Sequence, residues 1–222
     1  MDERAEKMLH ENPFLNNMEL AYKLIFEDII LGKFQNGERM QQERLSLMYG
    51  MSRTPVREAL MKLETEGYIK KDDRVGYKVS NVDIIDYIDF WEFRKNLESH
   101  IAYLAATNIS IQQLMKLSRN LEKTKKMGNS GNSLEVFRCD EEFHKLVVES
   151  SGNKYFIDVY NLYEAKIRYY RYLFQQKVNA SMIYDAHSKI YKALESRSED
   201  AAKRAMYQHM NAFMRHLRDK LR

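Results

Sequence analysis

The residues of this chain best suited to bind a metal ion lie in its C-terminal half. Asp140 and His144 are four residues apart, so on a helix their side chains project from the same face. Such a pair can chelate one divalent ion, or it can be an ordinary surface ion pair. His187 and His209 follow among apolar neighbours, where a single histidine is more often a packed core residue. On the inward faces of one helical bundle, however, the four side chains together favour a metal site.

An aspartate with three histidines suits Zn, Ni, Mn or Fe, and ligand type alone does not select among them. Arg94 shares a helical stripe with apolar residues, so its guanidinium is expected inside the bundle, where it needs an anionic partner. That partner is Glu98 one turn on, Asp140 across the bundle, or the carboxylate of a ligand that the metal would also bind.

A second candidate site is the segment SRTPVREAL, Ser52–Leu60, which is typical of a helix that contacts DNA. Thr54 suits the N-cap and Pro55 the first helical position. An apolar face follows at helical spacing, formed by Val56, Ala59, Leu60 and Leu63. The outward residues at the helix start are Ser52, Arg53, Thr54 and Arg57. Their hydroxyls and guanidiniums suit phosphate oxygens and guanine edges, although a capped surface helix with solvated arginines is the alternative.

The neighbouring segments indicate a winged helix-turn-helix. Helices are predicted over residues 17–31 and 42–49, and Gly50 ends the second just before the Pro55 helix. Two helices joined by a short glycine-containing turn are typical of the helix-turn-helix. Residues 68–71 and 77–79 then flank a glycine-bearing turn, which predicts a β-hairpin, the wing.

The run from Gly32 through Val79 resembles the DNA-binding domain of the GntR family of bacterial transcription regulators. The SRTPVREAL core carries the resemblance, and a small departure is Asn36-Gly37, where the family usually has Pro-Gly. Transferred by position, the family's DNA contacts fall on Arg44, Arg53, Thr54 and Arg57. The resemblance also implies that Gly76, at the wing tip, enters the minor groove.

Composition and charge agree with a DNA-binding protein but do not require one. The chain has 222 residues and 44% hydrophobic residues, enough for two domains, and only two prolines and eight glycines, which favours helices. The net charge of +4 and pI of 8.9 are mildly basic. A single cysteine, Cys139, excludes an intrachain disulfide. Without a long apolar run or a signal peptide, we expect a soluble protein of the bacterial cytoplasm with no membrane partner.

The predicted fold is mainly α, with an N-terminal winged helix-turn-helix followed by an all-α antiparallel bundle. The predicted domains are residues 1–79, of which 1–15 form a polar arm, and residues 84–222, joined by a linker at 80–83. The expected helices of the bundle are 84–106, 111–126, 133–149, 154–177, 182–194 and 199–221. Ser110 and Gln113 have the spacing of a capping box for the second of them.

The second domain resembles the FCD-type effector domain of the FadR branch of GntR regulators. The motifs that carry this resemblance are DEEFHKL at 140–146 with SGN at 151–153, AHSKIYKAL at 186–194 and AMYQH at 205–209. In metal-binding members of that branch an Asp and three His hold a divalent cation, and these positions map onto Asp140, His144, His187 and His209. The family's matching arginine faces the effector pocket, which implies that role for Arg94. Ala186 and residues 198–200 depart from the usual pattern at helix edges.

The sequence therefore predicts a ligand-responsive bacterial transcription regulator that binds a near-palindromic operator as a homodimer. A small organic acid is the expected effector, and relief of repression by ligand is the family's usual mode. A metalloenzyme using the same cation is the main alternative, with Glu141 or Glu142 as base, but no HExxH motif, nucleophile elbow or phosphate loop is present. A regulator with a purely structural metal is the third.

Overall fold

The chain forms two compact units, Met1–Asp83 and Ile84–Arg222, in its computed structural model. The structure describes residues 3–72, 76–80, 84–128, 133–174 and 179–220. Unit 1 is a winged helix-turn-helix with a small antiparallel sheet, and unit 2 is all-helical, which confirms the predicted fold class. No helix in these described ranges is both long enough and apolar enough to cross a membrane.

Unit 1 alternates helices with short strands. Its elements are α1 (Glu3–Glu11), α2 (Asn17–Ile30), β1 (Arg39–Met40), α3 (Gln42–Tyr49), α4 (Arg53–Thr65), β2 (Ile69–Asp72) and β3 (Gly76–Val79). The sheet has the order β1-β3-β2, and both pairs are antiparallel. Strand β1 was not predicted, because two residues are too few for an alternating pattern. Residues 73–75 of the predicted turn and 81–83 of the predicted linker lie outside the described residues.

Within the polar arm expected at residues 1–15, Glu3–Glu11 form helix α1. The helix is held by tertiary contacts: Ala5 is fully buried, and Arg4 binds the carboxylate of Asp28 at 2.5 Å. Asp28 is itself fully buried in α2 and also accepts hydrogen bonds from Lys33 at 2.9 Å and Tyr49 at 2.8 Å. This network joins α1 and α2 to the end of α3.

Helix α4 begins two residues earlier than predicted. Its N-cap is Ser52, in an extended conformation, so Thr54 is the second helical residue and Pro55 the third. Proline is tolerated there because the N–H groups of a first helical turn have no partner within the helix. The predicted apolar face is confirmed: Val56, Ala59, Leu60 and Leu63 are all fully buried.

Unit 2 consists of α5 (Ile84–Asn108), α6 (Ile111–Met127), α7 (Ser133–Ser150), α8 (Lys154–Phe174), α9 (Ala180–Glu195) and α10 (Glu199–Lys220). These agree with the predicted helices within a few residues, and the Ser110–Gln113 capping box forms as expected. Helix α9 starts earlier than predicted because Asn179 caps it by accepting from Ser181 and Met182. The last residues of the helix predicted at 154–177 fall outside the described part of the chain.

Helix α5 occupies the centre of the bundle. It packs most extensively on α10 and also contacts α7 and α9. The indole N–H of Trp91 in α5 donates to the carbonyl of Met210 in α10 at 3.0 Å, and this hydrogen bond links the two helices. Three helices that carry candidate metal ligands therefore surround one that carries Arg94 and Glu98.

Candidate functional site

The structure gathers the four candidate metal ligands in the interior of unit 2. Asp140 and His144 project from α7, His187 from α9 and His209 from α10. One donor atom of each lies within 4.8 Å of the donor atoms of the other three. The helical spacing of Asp140 and His144 thus places both on one face, while the packing of α9 and α10 supplies the other two.

The spacing of these donor atoms suits a single divalent ion. The Nε2 atoms of His144 and His209 are 3.1 Å apart, and Nε2 of His187 lies 3.1 Å from Oδ1 of Asp140. Nε2 of His144 is 3.8 Å from the same oxygen. Ligands at about 2.0–2.1 Å from a tetrahedral zinc ion lie about 3.3 Å from one another. The side chains present therefore fit a metal in donor type and in separation.

The protonation of His209 also favours cation binding. Asp140, His144 and His187 are buried, and His209 is half-buried. Burial lowers the pKa of His209 well below its usual range, and the nearby His187 and His144 lower it further. A neutral imidazole is the form that binds a metal ion, so His209 is a competent ligand at neutral pH.

Two residues outside the predicted set contact these ligands. The ring of Phe143 stacks on that of His187, with centroids 3.8 Å apart and planes 10° apart. Glu98 of α5 makes a hydrogen bond through Oε2 to Nδ1 of His144. Helical spacing predicts Glu98 only as a partner for Arg94, because its contact with His144 joins residues that are 46 positions apart.

Arg94 is buried, as predicted, with 1% of its surface exposed. Of the partners left open by the sequence, the structure places Glu98 beside it: Nε donates to Oε1 of Glu98. The terminal nitrogens Nη1 and Nη2 have no hydrogen-bonding partner among the described residues. The guanidinium lies 5.1 Å from the ring centre of Trp91. Two adjacent buried N–H groups of this kind match the oxygens of a carboxylate.

The predicted DNA-contacting residues of α4 lie together on the surface of unit 1. Ser52, Arg53, Thr54 and Arg57 are all exposed at the start of the helix. Arg53 is 70% exposed and forms an ion pair with Glu43 of α3 at 3.4 Å. The side-chain amide of Gln42 donates to the carbonyl of Arg53 at 2.8 Å, which anchors α3 to the start of α4.

Arg44 and Gly76 lie elsewhere on unit 1. Arg44 of α3 is 56% exposed and pairs with Glu38 at 3.2 Å. Gly76 is the first residue of β3, with a φ of +86° and nothing within 4 Å of the position a Cβ would take. The structure therefore leaves both residues accessible, and their contact with DNA stays a prediction.

Two protein families match this chain. Residues 18–79 match the model described as bacterial regulatory proteins, gntR family, and residues 89–212 match the FCD domain. The HTH-type transcriptional regulator YdhC of Bacillus subtilis is 29% identical over 199 residues, which cover 89% of each chain. The HTH-type transcriptional repressor RspR of Escherichia coli is 26% identical over 200 residues, covering 90% of this chain and 88% of that protein.

Solved structures have the same fold. Escherichia coli McbR/YncC superimposes with a TM-score of 0.75 at 18% identity, covering 94% of this chain and all of that one. A GntR regulator from Rhodococcus sp. RHA1 gives a TM-score of 0.69 at 15% identity, covering 90% of this chain and 97% of that one.

Proposed function

We propose that this chain, which belongs to the gntR family of bacterial regulatory proteins and carries an FCD domain, is a metal-dependent sensor of small carboxylates. In this proposal it represses transcription from a near-palindromic operator, and an organic acid bound in unit 2 changes its affinity for DNA. The observation that carries the proposal is the buried cluster of Asp140, His144, His187 and His209 in a chain that also has a DNA-binding module.

The DNA-binding part of the proposal rests on the surface chemistry of α4. Arg53 and Arg57 are presented to solvent by a helix whose opposite face is completely buried, so the helix is a rigid support for them. Arginine suits the O6 and N7 acceptors of guanine, while Ser52 and Thr54 suit phosphate oxygens. Arg44 and Gly76 would add contacts to the backbone and the minor groove on either side.

A homodimer is proposed because of the two-fold symmetry expected of the operator. A single α4 helix contacts only a few base pairs, and two copies related by a two-fold axis contact two half-sites one helical turn apart. We therefore propose a homodimer on a near-palindromic operator. Repressor is the name of two relatives, RspR and GlaR of Escherichia coli, and we propose the same direction of control here.

The effector part rests on the donors of unit 2. A divalent ion such as Zn, Ni, Mn or Fe, when bound, supplies a Lewis acid on which a carboxylate can be held. Asp140 and the three histidines would hold that ion, and the buried Nη1 and Nη2 groups of Arg94 would bind the effector's carboxylate. The free energy by which a bound acid favours one DNA-binding arrangement of the regulator equals the difference between its binding free energies to the two arrangements.

The metal centre is tested by elemental analysis of the purified protein beside the double variant His144→Ala, His187→Ala. We expect about one divalent ion per chain, since four donors form one site, and loss of that ion in the variant. Wild-type protein that stays metal-free after supplementation would refute the centre.

The DNA-binding activity is tested separately by selecting duplexes from a random-sequence pool with the full chain. The selected sequences should contain an inverted repeat, and the complex with one such duplex should contain two protein chains by light scattering. Selection of no common sequence, or binding of a single chain, would refute the operator model without affecting the metal result.

A further inference from the structure

Glu98 lies between the candidate metal centre and the candidate anion site. Its Oε1 accepts from Nε of Arg94, one turn earlier on α5, and its Oε2 contacts Nδ1 of His144 on α7. Arg94, Glu98 and His144 are each 1% exposed. One oxygen of this buried carboxylate thus contacts the arginine, and the other contacts a candidate metal ligand.

The contact with His144 determines which imidazole nitrogen is free to bind a metal. Oε1 of Glu98 accepts from Arg94, and a carboxylate accepts hydrogen bonds through both of its oxygens. Nδ1 of His144 therefore carries the proton, and Nε2 presents its lone pair. That lone pair is on the side of the ring where Oδ1 of Asp140 and Nε2 of His209 lie, at 3.8 Å and 3.1 Å. Carboxylate contacts of this kind fix the tautomer and orientation of metal-binding histidines.

The contact with Arg94 determines which guanidinium nitrogens are free to bind an anion. Glu98 uses only Nε, so Nη1 and Nη2 stay without a hydrogen-bonding partner among the residues that the structure describes. A buried, unpaired donor is unfavourable unless a ligand or water completes it. If Glu98 instead engaged both Nη groups, as in an end-on two-bond arginine–carboxylate pair, the Nη edge of Arg94 would not be available to a second carboxylate.

We propose that Glu98 is a positioning residue for both subsites: it orients His144 for the metal and turns the Nη edge of Arg94 to the carboxylate of the effector. This inference rests on the metal-dependent function proposed above. Loss of the Glu98 charge weakens the metal site, because His144 is no longer held in one tautomer. The same loss strengthens anion binding at Arg94, because the guanidinium no longer shares its charge with an internal carboxylate.

The first test needs no variant of Glu98. The tautomer of His144 in the metal-free protein is measured from a long-range ¹H–¹⁵N spectrum of the imidazoles, with His144→Gln to assign the signal. We expect the proton on Nδ1. A proton on Nε2, or an even mixture of the two tautomers, would overturn the proposal.

The second test compares Glu98→Gln with Glu92→Gln in the full chain. Glu92 lies on the same helix, but it is 55% exposed and pairs with Lys95, so it is the matched control. Zn²⁺ affinity, measured by competition with a chromophoric chelator, should fall about 10–100-fold in Glu98→Gln and stay unchanged in the control. Malonate, used as the carboxylate probe on metal-free protein, should bind Glu98→Gln more tightly than wild type.

The two readouts separate positioning from simple structural damage. A variant that merely loses structure binds both probes more weakly, and that result would overturn the proposal, as would unchanged Zn²⁺ affinity in Glu98→Gln. A wild-type protein that binds no Zn²⁺ would instead refute the metal centre itself, while the tautomer measurement would still decide the role of Glu98 towards His144.

Discussion

Substitution of Asp28 by Asn should destabilise the DNA-binding unit selectively. Asp28 is fully buried in α2, and its carboxylate accepts from Arg4 at 2.5 Å and 3.2 Å, from Lys33 at 2.9 Å and from Tyr49 at 2.8 Å. Asn keeps the size of the side chain but removes its charge, and its amide NH₂ replaces one acceptor with a donor. Two cations and a buried hydroxyl therefore lose a common anionic partner.

The magnitude follows from how easily each partner can be rehydrated. Side chains of Arg4 and Lys33 are 29% and 47% exposed, so water replaces much of what they lose, and their contribution is discounted. The bond from Tyr49 is buried, and a hydrogen bond to a charged group contributes about 1.5–3 kcal/mol. We therefore expect a loss of about 2–3 kcal/mol, mostly from the Tyr49 bond. For a unit of this size that corresponds to a melting temperature lower by about 8–24 °C.

The assay is calorimetric unfolding of the full chain, with hydrogen exchange of peptides from α2, α3 and α8 to locate the effect. Glu27→Gln is the matched control, because Glu27 is the adjacent carboxylate, lies 3.9 Å from Arg4 and is 25% exposed. We expect it to cost at most about 1 kcal/mol. Equal effects of the two substitutions, or faster exchange in α8 rather than in α2 and α3, would refute the role assigned to Asp28.

Other predictions concern pH, DNA binding and local structure. Burial alone would raise the pKa of Asp28, but hydrogen bonds from Arg4, Lys33 and Tyr49 outweigh it and lower the pKa below its usual range. The unfolded chain therefore binds the proton more readily, so the stabilisation by Asp28 is complete above about pH 4 and is lost as pH falls further. The free energy of unfolding, measured as pH falls below about 4, should therefore decrease less in Asp28→Asn than in wild type. The double variant Arg53→Ala, Arg57→Ala should weaken binding to a selected operator at least about 30-fold while light scattering finds the proposed dimer intact, and survival of specific binding would refute the assignment of α4. Ser110→Ala should cost about 1 kcal/mol in the denaturant stability of unit 2, because it removes the N-cap of α6, and no change would contradict the capping box.

Local patterns in the sequence were enough to predict most of this fold. The four apolar residues of α4 recur at helical spacing, and all are fully buried. Ser110 and Gln113 are three residues apart, and their capping box forms as that spacing predicts. Asp140 and His144 are one helical turn apart, which alone places them on the same face of α7.

Contacts between distant segments could not be predicted in this way. Helix α1 could not be predicted from its own residues, because the contact that stabilises it joins Arg4 to Asp28, 24 residues away. The position of Glu98 beside His144 depends on the packing of α5 against α7, which no spacing within one helix encodes. Proline favours the first helical position, which predicts that α4 starts at Pro55. In the structure Ser52 occupies the N-cap position, so the helix starts at Arg53.

The most direct test of the proposed function is the operator affinity of the full chain with and without a small carboxylate, in metal-loaded and metal-stripped protein. The operator is a duplex selected by the protein itself, and the carboxylates are a panel of small mono-, di- and tricarboxylates. We expect at least one acid to change the dissociation constant of the metal-loaded protein, and to have no effect after metal removal or in His144→Ala, His187→Ala. An acid that acts equally on metal-loaded and metal-stripped protein, or a panel without effect on either, would contradict metal-dependent sensing of carboxylates by this regulator.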